Sequence, residues 1–289
     1  FSFGICFLSI SVRSRKSGLE THTWWTKNER LRELRQPLQE RGLQFVASPR
    51  PDRPDSAPRE LSPMPELMLG ILWYANLLLA LTLHEAAHAW AALLGGDQTA
   101  YSMGQVTLDP RPHIQREPFG TILFPILSYA FNGWMMGWAS APYDPLWARD
   151  YPRKAAWMAV AGPAANLLLA VIAGVVMRAG LQMGFFILPE EKSLVQIVAG
   201  SGGVAVSLSP MLSIMFSLNL LLFVFNLIPL PPLDGSSVIT LLMSKERARW
   251  FQEVMSQPFL NILGLIVAWN ICGAFMGPAF RIALRFFGI

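Results

Sequence analysis

A chain of 289 residues that is 53% hydrophobic and 15% charged departs from the soluble average of about 25% charged. Its apolar residues also come in blocks long enough to cross a bilayer, which excludes an ordinary soluble domain and describes an all-α polytopic membrane protein embedded in a lipid bilayer. Only two cysteines, Cys6 and Cys272, accompany a net charge of +4, so neither a disulfide framework nor a cysteine-based zinc site is expected.

The N-terminal stretch differs from the rest. Eleven of the 23 Lys and Arg residues fall between Arg13 and Arg59, where Pro, Arg and Glu are common and apolar patterning is poor. Residues 1–63 are therefore expected to be a disordered or extraneous extension. Met64, immediately before Pro65-Glu66 and the first apolar run, is the expected natural start, which leaves 64–289 as the functional domain. The short apolar opening, 1–12, has no basic region before it and no small-residue cleavage site after it, so it does not read as a signal peptide. His22 and the Trp24-Trp25 pair in this extension are assigned no role.

Stretches long enough for roughly 30 Å of hydrocarbon occupy 67–94, 155–181, 204–230 and 259–280. Between the first two lies 119–138, whose apolar core is broken by Pro125 and then by Asn132-Gly133. Four to five transmembrane helices are thus predicted, with 119–138 as a re-entrant or in-plane hairpin. A small β element is predicted after the first span, as an exposed edge strand in 98–109 carrying Gln98, Ala100, Ser102, Gln105 and Thr107.

The first span contains His84-Glu85-Ala86-Ala87-His88. Two histidines four apart share a helix face about 6 Å apart in rise, so their imidazoles can converge on one metal ion. Glu85 is aimed to work on water at that metal rather than on the metal itself. Ionisable groups inside a span are disfavoured by up to about 3 kcal/mol each, so three in five positions need a purpose. From the ten residues between His84 and Leu94, the site lies roughly 10 to 15 Å below the nearer surface.

A catalytic zinc needs a third protein ligand, commonly a carboxylate or another His. Asp234 is the best candidate, because it follows Asn226-Leu-Ile-Pro229-Leu-Pro231-Pro232-Leu, where three prolines in four positions force the chain to unwind. Unwound backbone at membrane depth survives only where protein buries it or where it lines a wet cavity. The competing role for Asp234 is the N-cap of a short helix. Asp109 and Asp144 are weaker candidates, each followed by proline in a polar loop, where a turn suffices.

If Asp234 is to meet His84 and His88, the first and third spans must run parallel. Only the second span can then cross between them, which is why 119–138 is expected to fold back. In this topology the side carrying the site receives Arg111, Arg116, Arg149, Arg153, Lys154, Lys245, Arg247 and Arg249. The other side receives Lys192, Arg178, Arg281 and Arg285. The positive-inside rule then turns the site toward the cytoplasm.

His113, in the loop after the first span, is a candidate to approach substrate or metal, or else to brace that loop. Asn226 is a candidate for an oxyanion or substrate contact, since its amide offers both donors and an acceptor; the alternative is a helix C-cap. In the second span, Ala161-Gly162-Pro163-Ala164-Ala165-Asn166 strings small residues along a helix, which permits close approach to the first span. Asn166 can also cross-link helices. Many of the ten Trp residues lie near the ends of apolar runs, as interface anchors do.

Together these motifs resemble the site-2 protease family of intramembrane zinc metalloproteases, in its compact bacterial form. His84-Glu85-Ala-Ala-His88 is similar to the family's metal helix, Ala161-Gly162-Pro163-Ala-Ala-Asn166 to its G-P-x-x-N helix, and Asn226-Leu-Ile-Pro229-Leu-Pro231-Pro232-Leu-Asp234-Gly235 to its N-x-x-P-x-P-x-L-D-G segment. Leu108-Asp109-Pro110-Arg-Pro-His113-Ile114, Pro118-Phe-Gly120-Thr121 and Gly137-Trp138-Ala139 are similar to connecting motifs of compact members. Two departures are that such members often carry Asn where Asp109 stands and a Lys near Ser140. The 182–203 connection is too short for a PDZ module, and no CBS domain is expected.

The resemblance implies one zinc per chain on His84, His88 and Asp234, with Glu85 as general base and Asn226 as an oxyanion or substrate contact. It implies hydrolysis of peptide bonds within or next to transmembrane segments of membrane-anchored proteins, in regulated intramembrane proteolysis at a bacterial cytoplasmic membrane. The predicted edge strand would hold an unwound substrate extended by strand addition. No nucleic-acid partner is expected. The alternative from another class is a membrane metal-binding or transport protein, which would use the same ligands and need no base.

Overall fold

The computed structural model describes residues 4–6 and 66–289. Of the N-terminal extension only β1 (Gly4–Cys6) is therefore described. The expectations for the rest of 1–63, for His22, Trp24-Trp25 and the start at Met64, lie outside the described residues.

Among the described residues, four helices are long and apolar enough to cross a membrane: α1 (Glu66–Gly95), α6 (Pro152–Gln182), α7 (Val204–Asn226) and α10 (Pro258–Phe287). This is an integral membrane protein. The shortest of them, α7 with 23 residues, still spans about 34 Å at 1.5 Å per residue. Ile71, Leu79 and Trp90 on α1, Leu168, Ile172 and Val175 on α6, and Ile262, Ile266 and Phe275 on α10 are exposed, as befits surfaces whose solvent is lipid. Helix α7 is the most buried of the four and α10 the least.

Elements between the spans take their form from local chemistry. After α1 come α2 (Thr99–Ser102) and α3 (Pro110–Arg116). The strand predicted in 98–109 is corrected: Asp97 Oδ1 accepts from the Thr99 N–H at 2.9 Å and the Thr99 hydroxyl at 2.6 Å, which starts a helical turn there, and bends follow. Local side-chain bonding to the backbone outweighed a weak alternating pattern. Asp109 and Asp144 accept from the N–H groups of Arg111 and Leu146, so they cap α3 and α5 (Pro145–Asp150).

The 119–138 segment folds back on itself. A π-helical turn (Phe119–Leu123) runs into α4 (Phe124–Asn132), the chain reverses at Gly133 with φ of 73°, and β2 (Gly137–Ala139) returns past the start. A Cβ on Gly120 would lie 2.5 Å from the Trp138 carbonyl oxygen, which shows how closely the two limbs pass. Pro125 does not reverse the chain: beside it the helical run changes from the π-turn to α4, and the reversal comes at Gly133. The return strand β2 pairs antiparallel with β1, Ile5 opposite Trp138. Strands β3 (Phe186–Ile187) and β4 (Ala199–Gly200) pair antiparallel between α6 and α7.

Helix directions follow from six polar contacts. The Asn166 side chain lies against the Ala80 carbonyl and the His84 ring, while the Met158 carbonyl meets His88, so α6 descends as α1 rises. Asn166 also bonds Asn219 of α7, and Asp234 beyond the end of α7 reaches His84 and His88, so α7 runs parallel to α1. The parallel first and third spans inferred from the sequence are therefore present. Trp73, Leu77 and Leu81 of α1 pack with Ile214, Leu218 and Leu222 of α7 along the shared interface.

The loop end of α1 is fastened by polar contacts. Gly95 O accepts from Trp147 Nε1 at 3.2 Å and Lys154 Nζ at 2.9 Å, and Asp97 Oδ2 accepts from the Asp144 N–H at 2.8 Å. Burial would raise the Asp97 pKa, but the donors from Thr99 and Asp144 win and hold it below the usual carboxylate range. A depressed carboxylate stabilises the fold above its unfolded pKa of about 3.9 and loses that contribution as pH falls through the folded value. Asp97→Asn should cost about 1–2 kcal/mol at pH 7. Thermal unfolding in detergent should show the gap from wild type narrowing below about pH 4.

Candidate metal centre

His84 and His88 stand on consecutive turns of α1, both buried, facing the point where α6 passes closest. Their Nε2 atoms are 3.0 Å apart. Asp234 arrives from the unwound segment after α7: its Oδ2 is 3.2 Å from His84 Nε2 and its Oδ1 is 3.3 Å from His88 Nε2. Asp234 opens α8 (Asp234–Val238), and the N-cap position belongs to Leu233, so the capping alternative does not hold.

Local sequence makes each approach possible. Gly162 of α6 lies opposite the imidazoles, where a Cβ would sit 2.3 Å from His88 Nε2 and 2.6 Å from His84 Nε2. Gly235 permits the turn that presents Asp234, since a Cβ there would be 2.4 Å from the carbonyl oxygens of Leu227 and Ile228. Gly264 of α10 lets the Pro231 carbonyl pack directly against that helix. From Pro231 to Gly235 the unwound stretch is buried, while Pro229 is exposed.

The protonation pattern follows from the outer partners. His88 Nδ1 is 2.7 Å from the Met158 carbonyl oxygen, which can only accept, so Nδ1 carries the proton and Nε2 presents a lone pair. His84 Nδ1 lies 2.6 Å from Asn166 Oδ1, another acceptor, with the same result. Both Nε2 atoms are thereby turned toward the Asp234 carboxylate, whose Oδ2 is buried with no hydrogen-bond donor. A tetrahedron with metal bonds of 2.0–2.1 Å has edges of about 3.3 Å. The 3.0 Å between the two Nε2 atoms is close to one such edge, and the carboxylate turns a different oxygen to each imidazole, at 3.2 and 3.3 Å, so the three side chains fit around a single ion and the donor set of two imidazoles and a carboxylate suits zinc.

Glu85 is buried beside the ligands, and the His113 ring lies within electrostatic reach of its carboxylate. His113 sits on α3, buried, with Nε2 donating to the Thr107 carbonyl at 3.1 Å, and is outside the three-ligand group. Its Nδ1 is buried without a partner, as is Asn226 Oδ1 at the end of α7. A cavity of about 650 Å³ is lined by Tyr143, Met158, Ala159, Pro231, Pro232 and Ser236, with none of the three ligand residues in its wall. Burial and then the Asp234 carboxylate push the Tyr143 phenol above its usual pKa.

Sequence reasoning placed His84, Glu85, His88 and Asp234 together, and the structure brings them together. It treated Gly162 as helix packing, whereas the missing Cβ makes room for the ligand atoms themselves. Tyr143 and Asn219 were missed: Tyr143 is an aromatic in a loop with no motif, while Asn219 was legible only as an unexplained polar residue in an apolar span. Gly162→Ala should weaken zinc binding at least about tenfold by chelator competition. Gly273→Ala, at a helix position with nothing within 4 Å, should bind zinc as the wild type does.

Residues 73–269 match peptidase family M50. The "Putative zinc metalloprotease YwhC" of Bacillus subtilis is 34% identical over 74% of this chain and 89% of its own length. The "Putative zinc metalloprotease Rip2" of Mycolicibacterium smegmatis is 27% identical over 72% of this chain and 71% of its own. Its namesake in Mycobacterium tuberculosis H37Rv is also 27% identical, over 73% and 72%. No solved structure matches the chain at comparable stringency. With a buried His-His-Asp centre of zinc geometry among spanning helices, the chain belongs to peptidase family M50, the site-2 protease family, and is a zinc metalloprotease.

Proposed function

We propose that this protein hydrolyses peptide bonds within or next to the transmembrane segments of membrane-anchored proteins, as a step in regulated intramembrane proteolysis. The observation that carries the reading is the position of the centre: three ligand atoms within 4.8 Å of one another, all buried, on helices whose outer faces are apolar. A protease built to act on soluble chains has no reason to place its ligands where polar groups are disfavoured.

His84, His88 and Asp234 would hold one zinc ion. When bound, zinc supplies Lewis-acid chemistry that acidifies water toward neutral pH and polarises a carbonyl. Glu85, next to His84 and outside the ligand set, takes the proton from the attacking water and returns it to the leaving amine. Asn226 and His113 are assigned to the substrate or its developing oxyanion; the buried unpartnered Asn226 Oδ1 and His113 Nδ1 are acceptors, which favours the substrate's N–H groups as their partners. The cavity beside Pro231 and Pro232 supplies the water route. The substrate helix unwinds before attack, because its amides are otherwise hidden.

Eight Lys and Arg residues, among them Arg111, Arg149, Lys154 and Arg249, favour a site opening toward the cytoplasm of a bacterial cell.

The test pairs metal analysis of purified protein with N-terminal sequencing of the fragments of a model membrane substrate. Glu85→Gln should keep its zinc and lose cleavage about 10²–10⁴-fold, whereas Asp234→Ala should lose both. Cleavage that survives Glu85→Gln, or fragments whose new termini map far from any membrane segment, would overturn the proposal.

A further inference from the structure

Asn219 lies in the middle of α7, buried, with no contact to any of the three ligand residues in the hydrogen-bond network. Its Nδ2 donates to the Met215 carbonyl at 2.8 Å. Because that carbonyl can only accept, the amide of Asn219 is oriented with its Oδ1 pointing the other way. Oδ1 then accepts from Asn166 Nδ2 at 2.9 Å. With its nitrogen committed to Asn219, Asn166 presents its own Oδ1 to His84 Nδ1 at 2.6 Å.

The chain of orientation has one outcome. Met215 O sets Asn219, Asn219 sets Asn166, and Asn166 sets the tautomer of His84, leaving the lone pair of Nε2 toward Asp234 and His88. Were Asn166 turned over, its NH₂ would face His84 Nδ1 and favour the tautomer with the proton on Nε2, where a metal must bind. Asn166 has a second acceptor in the Ala80 carbonyl, but at 3.4 Å that bond is long and weak. His88 needs no such relay, since the Met158 backbone carbonyl fixes it directly.

We infer that Asn219 is a positioning residue for the metal centre, acting on His84 solely by fixing the orientation of the Asn166 amide. The inference rests on the metal assignment above and not on hydrolysis, so its test reads zinc affinity. Outer partners of metal-bound histidines typically contribute 10–100-fold to metal affinity.

The experiment is a double-mutant cycle. Asn219→Leu is apolar, keeps α7 compatible with its surroundings, and removes the acceptor that holds Asn166. Asn166→Asp offers His84 Nδ1–H an oxygen whichever way it turns, so it needs no guidance. Zinc dissociation constants are measured by chelator competition in detergent micelles, with thermal unfolding of the metal-free proteins as the folding control.

Asn219→Leu should weaken zinc about tenfold in the wild-type background and leave affinity unchanged in the Asn166→Asp background. Unaltered affinity in the wild-type background, or an equal loss in both backgrounds, would overturn the inference, since a purely packing role costs the same in each. Asn219→Ala, which cannot overpack, carries the same expectation if the Leu variant does not fold; failure of both to fold assigns Asn219 to packing instead. A wild-type protein that binds no zinc would overturn the metal centre and this inference together, whereas wild-type binding without coupling overturns this inference alone.

Discussion

Two imidazoles and a carboxylate crowded to within 3.0 to 3.3 Å in buried surroundings need a positive charge among them, and the helical core is arranged around that constraint. Each lone pair is enforced from behind. The Met158 carbonyl and the Asn166 amide oxygen accept from the two Nδ1 atoms, which turns the Nε2 atoms toward Asp234.

The requirement propagates into backbone geometry. Helix α6 must pass within contact of two imidazoles, which only a residue without a Cβ permits, hence Gly162. Helix α7 must deliver a carboxylate to the same point while remaining apolar through the bilayer, so the ligand is placed beyond its end, on a stretch that three prolines keep from continuing the helix. That stretch in turn needs cover, provided by α10 through Gly264 and by the close return of Gly235 onto Leu227 and Ile228. Small residues here are spaces for particular atoms rather than a general device for helix approach.

The folded-back segment α4–β2 lies along α1. Tyr129, near its tip, donates to the Glu66 carbonyl at 2.7 Å, at the start of α1, while the Cβ that Gly137 lacks would lie 3.2 Å from Leu77 Cδ2, several turns along. The segment therefore runs alongside the lower half of α1 and returns toward the level of the metal. At its mouth Arg116 Nε donates to Ser140 Oγ at 3.1 Å, and that hydroxyl donates to Glu117 Oε1 at 2.7 Å. These side chains tie the return limb to the loop around the centre.

The ligands were legible because their chemistry is local. His84-Glu85-Ala-Ala-His88 puts two nitrogens on one helix face by the 3.6-residue period alone, and the proline run before Asp234 declares a break in a span without any knowledge of its neighbours. The four spans were legible from length and hydropathy for the same reason. In the loops the local signals competed, and the turn chemistry of Asp97 with Thr99 overrode the alternation that had suggested a strand. What only the tertiary structure decided is which polar groups of different helices share a level: Asn166 with Asn219 and His84, and the Met158 carbonyl with His88. Sequence carries each helix's period but not the axial offset between helices, and side chains 53 and 82 positions apart become hydrogen-bond partners only once packing has set that offset.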